Sequence, residues 1–243
     1  MSLPDERAHE ARLPIATYRL QFNASFPFRD AVQTVDYLHR LGISDVYASS
    51  YLCSVPGSPH GYDVADPTRL NPEIGSDAEY WAFIQAMRDR GMGHVLDVVP
   101  NHMGIARSAN PWWIDVLENG PASRYAPYFD ITWRPVKVEL ADKVLIPTLG
   151  DQYGAVLERQ DLTLAYRDGA FVVRYYDDWF PIAPDTFPRV LALALDRWTA
   201  AHGGAGPDPE ADELRSIITA AGHLPPRSEA SAGQVAVRAR EKE

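Results

Sequence analysis

With Cys53 as its single cysteine in 243 residues, the chain has no intrachain disulfide and no Cys/His frame of structural zinc spacing, so a reducing, cytoplasmic setting is expected. No segment approaches the roughly 18–20 consecutive apolar residues that a membrane-crossing helix needs. The N-terminal M-S-L-P-D-E-R-A-H-E is charged where a signal peptide would be apolar. A soluble protein with no membrane partner is therefore expected. Basic charge is also short: a net charge of −10 opposes the counterion-displacing grip that nucleic acids require, so no nucleic-acid partner is expected. A phosphate-cradling glycine loop, G-x-S-x-G and H-E-x-x-H are all missing, which sets aside several common enzyme classes. There is no internal repeat.

What is present begins with enough apolar residues for a core, 46% of the chain. Six Trp, 12 Tyr and 8 Phe fall often beside Pro, Gly or Asp, where aromatic rings serve either as sugar-stacking platforms or as packing contacts. His94–His102, H-V-L-D-V-V-P-N-H, is the most informative stretch. Its Val-rich part reads as a strand buried on both faces, and a polar cluster closes it. In a β/α barrel, chemistry sits at that C-terminal strand end.

Alternation in Ile15–Phe22 favours an earlier strand, followed by a helix over Phe28–Leu41 with Val32, Val35, Leu38 and Leu41 at helical spacing and Gly42 as its cap. Gly42–Ala48 reads as a second strand, and a polar loop runs on through Ser58. Ser76 and Glu79 form a capping box ahead of a helix with Trp81, Ile84 and Met87 on its apolar stripe. This β-α-β-α-β order predicts a parallel sheet and is compatible with both a barrel and an open doubly wound sheet. After Gly104 the alternation stops. A hairpin is expected from Leu162–Tyr166 and Ala170–Tyr176 around Asp168-Gly169, then an amphipathic or buried helix over Val190–Ala201 stopped by Gly203-Gly204, and another over Asp212–Ala221. From Ser228 the chain reads either as a helix cut through its middle or as a solvated tail.

Three clusters carry groups suited to chemistry. Asp97, Asn101 and His102 offer a carboxylate, an amide and an imidazole for sugar hydroxyls or a metal; alternatively Asp97 is an arginine's partner and the others cap a turn. His60-Gly61-Tyr62-Asp63 falls on the same sheet edge, where Gly permits close backbone approach and Tyr offers a stacking face, or where a plain turn uses the same residues. Tyr175–Ile182 reads as an aromatic, acidic loop that either closes over a carbohydrate or packs the excursion onto the rest of the chain.

Together, D-x-x-x-N-H at Asp97, Asn101 and His102, and G-Y-D at Gly61, Tyr62 and Asp63, resemble the α-amylase clan of glycoside hydrolases. Within that clan the chain is similar to the maltooligosyltrehalose synthase family through A-T-Y-R-L-Q-F at Ala16, P-G-S-P-H-G-Y-D-V at Pro56, P-Y-F-D-I at Pro127, V-L-I-P-T-L-G at Val144 and F-P-I-A-P at Phe180. Ser50 stands where that family commonly has proline, and Asp178-Trp179 replaces a more usual basic pair region.

The resemblance implies an α/β fold containing the first three strands of a (β/α)8 TIM barrel, with a long insertion after the third strand. It implies a barrel segment over 1–104, an inserted subdomain over 105–188 and a helical segment over 189–243. It also implies a retaining transglucosylase that turns the reducing-end α-1,4 link of a maltooligosaccharide into an α,α-1,1 link, with an α-glucan hydrolase or a carbohydrate-binding fragment as alternatives.

Substrate-binding residues implied are His60, Tyr62, Asp63, Asp97, Asn101 and His102. No cofactor is implied, and no metal is assigned, although an equivalent Asn ligates calcium in some clan members. The family's nucleophilic Asp, general-acid Glu and third Asp follow later strands, and no G-x-R-x-D run occurs after Arg227. No catalytic carboxylate is therefore expected in this chain. It is expected to be the N-terminal part of a longer enzyme, inactive alone, its partner the remainder of the barrel.

Overall fold

The computed structural model describes residues 13–99, 102–202 and 208–242, which fall into two compact units, Met1–Ile105 and Ala106–Glu243. In the first unit, β1 (Thr17–Leu20), α1 (Phe28–Arg40), β2 (Asp45–Ala48), β3 (Leu52–Ser54), β4 (Val64–Leu70), α2 (Asp77–Arg88) and β5 (Gly93–Leu96) follow in order. A parallel sheet of order β1-β2-β5 forms its centre. β3 and β4 make a separate antiparallel pair.

α1 forms because Phe28, Ala31, Val35 and Leu38 recur on one face and are buried. Val32 is only partly buried, and Leu41, past the last helical residue, is exposed. The helix stops where Gly42 takes φ 86°. There the Gly42 and Ile43 amides donate to the His39 and Leu38 carbonyls at 3.0 Å each, a Schellman arrangement. α2 starts at the expected box: Glu79 N donates to Ser76 Oγ at 3.3 Å, and Ser76 N donates to Glu79 Oε2 at 2.7 Å. Its buried stripe is Phe83, Ile84 and Met87. Trp81, expected on that stripe, is exposed against Tyr80, because Phe83 and Met87 rotate the apolar face away from it.

The core of this unit is aromatic. Phe22 is fully buried, with ring centroids of Phe28, Phe83, Phe26 and Tyr51 at 5.3, 5.6, 5.9 and 6.1 Å. His94 joins it from β5, stacked on Tyr51 at 5.8 Å and edge-on to Phe83 at 6.0 Å, its Nε2 buried without a hydrogen-bond partner. Burial holds the His94 imidazole below its usual value of 6.5, since the charged ring loses its hydration.

A histidine whose folded value is depressed stays neutral in the fold and takes up a proton on unfolding. Stability is therefore full above about pH 6.5 and falls as the pH drops below it. The urea midpoint is expected to fall between pH 7.5 and pH 5, and to fall less in His94→Phe. An equal fall in both proteins would remove His94 from this role.

Further sequence expectations are corrected in this unit. The strand read over His94–Val99 is not buried on both faces: β5 ends at Leu96, Val95 is 40% exposed, and Val98 and Val99 lie beyond the strand and are exposed. β5 is an outer strand, so only the face carrying His94 and Leu96 meets the helices. The polar loop through Ser58 contains β3. The first strand is shorter than Ile15–Phe22, with Ile15 outside it and exposed.

The second unit contains α3 (Pro111–Asn119), α4 (Tyr153–Glu158), β6 (Leu162–Arg167), β7 (Ala170–Tyr175), β8 (Asp178–Pro181), α5 (Phe187–His202), α6 (Pro209–Gly222) and α7 (Ala232–Lys242), with short 3-10 turns between them. Asn110 caps α3 by accepting from the Trp112 and Trp113 amides, and Pro111 fills the first turn. β6, β7 and β8 form an antiparallel meander. Asp168 and Gly169, at φ 50° and 82°, supply the two positive angles of a two-residue turn.

The run Tyr175–Ile182, expected as a loop, instead folds through a two-residue turn into β8. Tyr176, at φ 51°, allows that turn without glycine. α5 has no buried residue, which overturns the buried alternative, and Gly203-Gly204 lies outside the described residues. α6 begins where Asp208 accepts from Ala211 N at 3.0 Å and from Trp198 Nε1 at 2.8 Å.

The segment after Ser228 is pinned by a charge. Arg238 on α7 is 1% exposed. It donates through Nε to Asn119 Oδ1 at 3.0 Å and through Nη1 to the Pro225 carbonyl, with Asp185 Oδ1 3.7 Å from Nη2. No helix among the described residues is long and apolar enough to cross a membrane.

Candidate functional site

In a parallel ladder, residues in register share a face. Arg19 aligns with Tyr47, and Tyr47 with Val95, so these three lie on the side opposite Val46, His94 and the helices. Asp97 N continues the ladder by donating to the Ala48 carbonyl at 2.9 Å. That brings Asp97, two residues past Val95, onto the Arg19 face.

The fourth member arrives from the loop between β3 and β4. That loop is fastened by Val55 N to the Asp63 carbonyl at 3.0 Å, Gly104 N to the Val64 carbonyl at 2.8 Å, and Gln21 Nε2 to the His60 carbonyl at 3.3 Å. Gly61 passes so close to β2's continuation that a Cβ would stand 2.8 Å from the Ser50 carbonyl oxygen, and its φ is +75°. Only glycine suits both conditions. The next residue, Tyr62, thereby reaches the sheet face.

Around Asp97 Oδ2 three donors converge: Tyr62 OH at 2.5 Å, Tyr47 OH at 2.9 Å and Arg19 Nη1 at 3.0 Å. Arg19 Nη2 also donates to Tyr62 OH at 2.6 Å and to Gln21 Oε1 at 3.2 Å, and the guanidinium lies 4.9 Å above the Tyr47 ring. The Tyr62 hydroxyl, followed by Arg19 and Tyr47, holds the Asp97 carboxyl below the usual carboxylate range. The same bonds raise Arg19, and the neighbouring carboxylate raises the Tyr47 phenol. Asp97 is thus a fixed anion at neutral pH, consistent with the reading of it as an arginine's partner, and it is 16% exposed.

Of the expected site residues, Tyr62 and Asp97 are in direct contact. His60 stacks on Tyr62 with ring centroids 6.0 Å apart, and its Nδ1 accepts from Tyr62 N at 3.0 Å, which leaves the neutral ring's proton on Nε2. Asp63 turns into its own loop. It accepts from Ser58 Oγ and lies 3.9 Å from His60 Nδ1, because so short a loop needs an internal acceptor. His102 is exposed in the segment after β5, and none of these bonds includes it. Asn101, with Pro100, lies outside the described residues.

Sequence reasoning missed Arg19, Tyr47 and Gln21. The two-residue strand period puts Arg19 and Gln21 on one face of T-Y-R-L-Q-F, but their partners are 78 and 39 residues away and leave no local mark. Among the described residues, no three His, Cys, Asp or Glu side chains gather as a metal site would require. The arrangement offers hydroxyls, an imidazole, an aromatic face and a guanidinium at one strand end, a set suited to polyhydroxylated ligands.

The family model for the alpha amylase catalytic domain matches residues 29–160. A Mycobacterium tuberculosis (strain ATCC 25618 / H37Rv) protein, whose name of maltooligosyl trehalose synthase is itself provisional, is 40% identical over 177 residues, covering 70% of this chain and 21% of that protein. The solved structure of maltooligosyltrehalose synthase from Arthrobacter ramosus superposes with a TM-score of 0.59 at 42% identity, covering 70% of this chain and 21% of that one. The intracellular maltogenic amylase of Bacillus subtilis (strain 168) is 37% identical over 112 residues, 46% of this chain and 18% of that protein. The chain therefore spans about a fifth of the length of the relatives it matches.

Proposed function

The chain belongs to the alpha-amylase catalytic-domain family, and from that membership we propose that it forms the first part of a (β/α)8 barrel in a maltooligosyltrehalose synthase, with residues 105–188 as an insertion after the barrel's third strand and 189–243 as a helical segment following it. The substrate is a maltooligosaccharide, and the reaction a retaining intramolecular transglucosylation in which the freed glucose is kept from water and rejoined through its anomeric hydroxyl. Bond breaking is assigned to the carboxylates that the family carries on later strands, for which this chain has no matching motif.

One observation favours the synthase over an α-glucan hydrolase. The match to the synthase relative runs over 177 residues, 70% of this chain, whereas the match to the maltogenic amylase runs over 112 residues, 46% of it.

In this reading Tyr62 offers its ring to one glucose unit and His102 donates to a sugar hydroxyl. His60 backs Tyr62, while Asp63 and Asn101 brace their loops. Asp97 orients its neighbours, anchoring Tyr62 through the oxygen that accepts three bonds.

The test is a chimera in which this chain replaces the matched first fifth of the Arthrobacter ramosus synthase, incubated with maltopentaose. A non-reducing product supports the proposal. Glucose or maltose indicates the hydrolase, and a folded chimera without product overturns both. The 243-residue chain alone is expected to leave maltopentaose unchanged.

A further inference from the structure

We propose that Arg19, on β1, is a positioning residue of the glucan site, holding the Tyr62 ring and the Asp97 carboxylate in one geometry on the sheet face that all three share; this rests on the glucan-binding reading of that strand end. The guanidinium is the only group among the described residues that donates to both: Nη1 to Asp97 Oδ2 at 3.0 Å and Nη2 to Tyr62 OH at 2.6 Å. Tyr62 sits in a loop, and a loop residue keeps its ring direction only if its far end is tied to a rigid element. Here the tie runs to β1 and to the residue that extends β5, two strands joined to β2 in register.

Each arm does a separate task. The Nη1 arm neutralises the carboxylate that accepts the Tyr62 and Tyr47 hydroxyls, so that all three donors can share one oxygen. The Nη2 arm fixes the Tyr62 hydroxyl laterally and also reaches Gln21 Oε1 at 3.2 Å, which helps to hold the guanidinium over the Tyr47 ring, 4.9 Å from its centroid.

Three of the five guanidinium N–H groups are engaged in these bonds. Arg19 remains 37% exposed, so the remaining N–H groups can meet a sugar hydroxyl beside the ring that Tyr62 presents. Lysine has the charge but not the planar fork, and one ammonium point cannot serve Asp97 and Tyr62 with the same angles.

The experiment is an NMR titration of the 243-residue chain with maltopentaose, comparing it with Arg19→Met, Arg19→Lys, Tyr62→Phe and the double variant Arg19→Met/Tyr62→Phe, alongside a carbon-13 titration of the Asp97 carboxyl. Loss of a charge-assisted bond pair should weaken binding about tenfold or more in Arg19→Met. Tyr62→Phe should weaken it comparably, and the double variant little further, because both remove one shared tie. In Arg19→Met the Asp97 carboxyl should titrate at higher pH, and Arg19→Lys should restore that titration but not the binding.

Unchanged binding in a folded Arg19→Met overturns the proposal, as does full recovery of binding by lysine. If Arg19→Met does not fold, Arg19→Lys and Tyr62→Phe carry the same comparison. Absence of binding by the unsubstituted chain overturns the glucan reading of the site and this proposal with it, whereas binding indifferent to Arg19 overturns this proposal alone.

Discussion

Replacing Phe22 by alanine is expected to destabilise the first unit by about 3–5 kcal/mol, the range for emptying an aromatic side chain from a packed core. Four rings surround it within 6.1 Å, and all four belong to bulky residues whose own positions are set by α1, α2 and the segments flanking β1 and β2. Such a cage cannot collapse by rotating one side chain, so most of the void remains. The backbone adds to the effect, since Phe22 N donates to the buried Ser49 Oγ at 2.8 Å and any shift of the chain to fill the hole loosens that bond. A total stability of roughly 5–15 kcal/mol is ordinary for a domain, so the variant should lose a large share of it. Urea unfolding followed by circular dichroism, with amide exchange at β1 and β2, would report it. A loss under about 1 kcal/mol would mean that the aromatic cluster is not the centre of this unit.

Arg238→Ala is expected to cost about 3–5 kcal/mol in the second unit, because breaking a buried charged network leaves its other members unpaired. Asn119 Oδ1 and the Pro225 carbonyl would lose their donor, and buried Glu118 would lose a nearby positive charge. Arg238→Met keeps most of the volume and should lose less, which separates packing from pairing. Tryptophan fluorescence suits this measurement: Trp112, Trp113, Trp133, Trp179 and Trp198 all lie after residue 105, and only Trp81 precedes it. Wild-type stability in Arg238→Ala would show that α7 contributes nothing to this unit's fold.

The elements legible in the sequence are those whose signals are local. α1 announced itself by the spacing of Val35 and Leu38 and by Gly42, α2 by Ser76 and Glu79, and the β6–β7 turn by Asp168-Gly169. β3 and β4 were illegible for a physical reason. β3 has three residues, the pair is irregular in register, and Pro67 lies inside β4, where proline normally argues against a strand. α3 did carry a signal, Asn110 followed by Pro111, but Trp112 and Trp113 next to them looked like a loop's aromatics. β8 was hidden because its turn uses Tyr176 and not glycine.

The site divides in the same way. Tyr62 and Asp97 stood out as parts of short motifs, and the structure joins them. Arg19 and Tyr47 bear equally on Asp97, yet each belongs to a strand where one polar residue facing away from the core is unremarkable. Only the register of β1 against β2 places them side by side, and register is a property of three strands together.

β1 and β5 border the sheet, each paired on one side to β2. Among the described residues no strand pairs with their outer edges, whose amides and carbonyls repeat at a spacing that any extended backbone can match, whatever its sequence. Backbone complementarity by itself would therefore admit strangers as readily as a proper companion. Side chains on the sheet face add what the backbone lacks: half-exposed Val95 favours an apolar neighbour, and the Arg19–Asp97 pair, already matched in charge, offers no counterpart to a lone one.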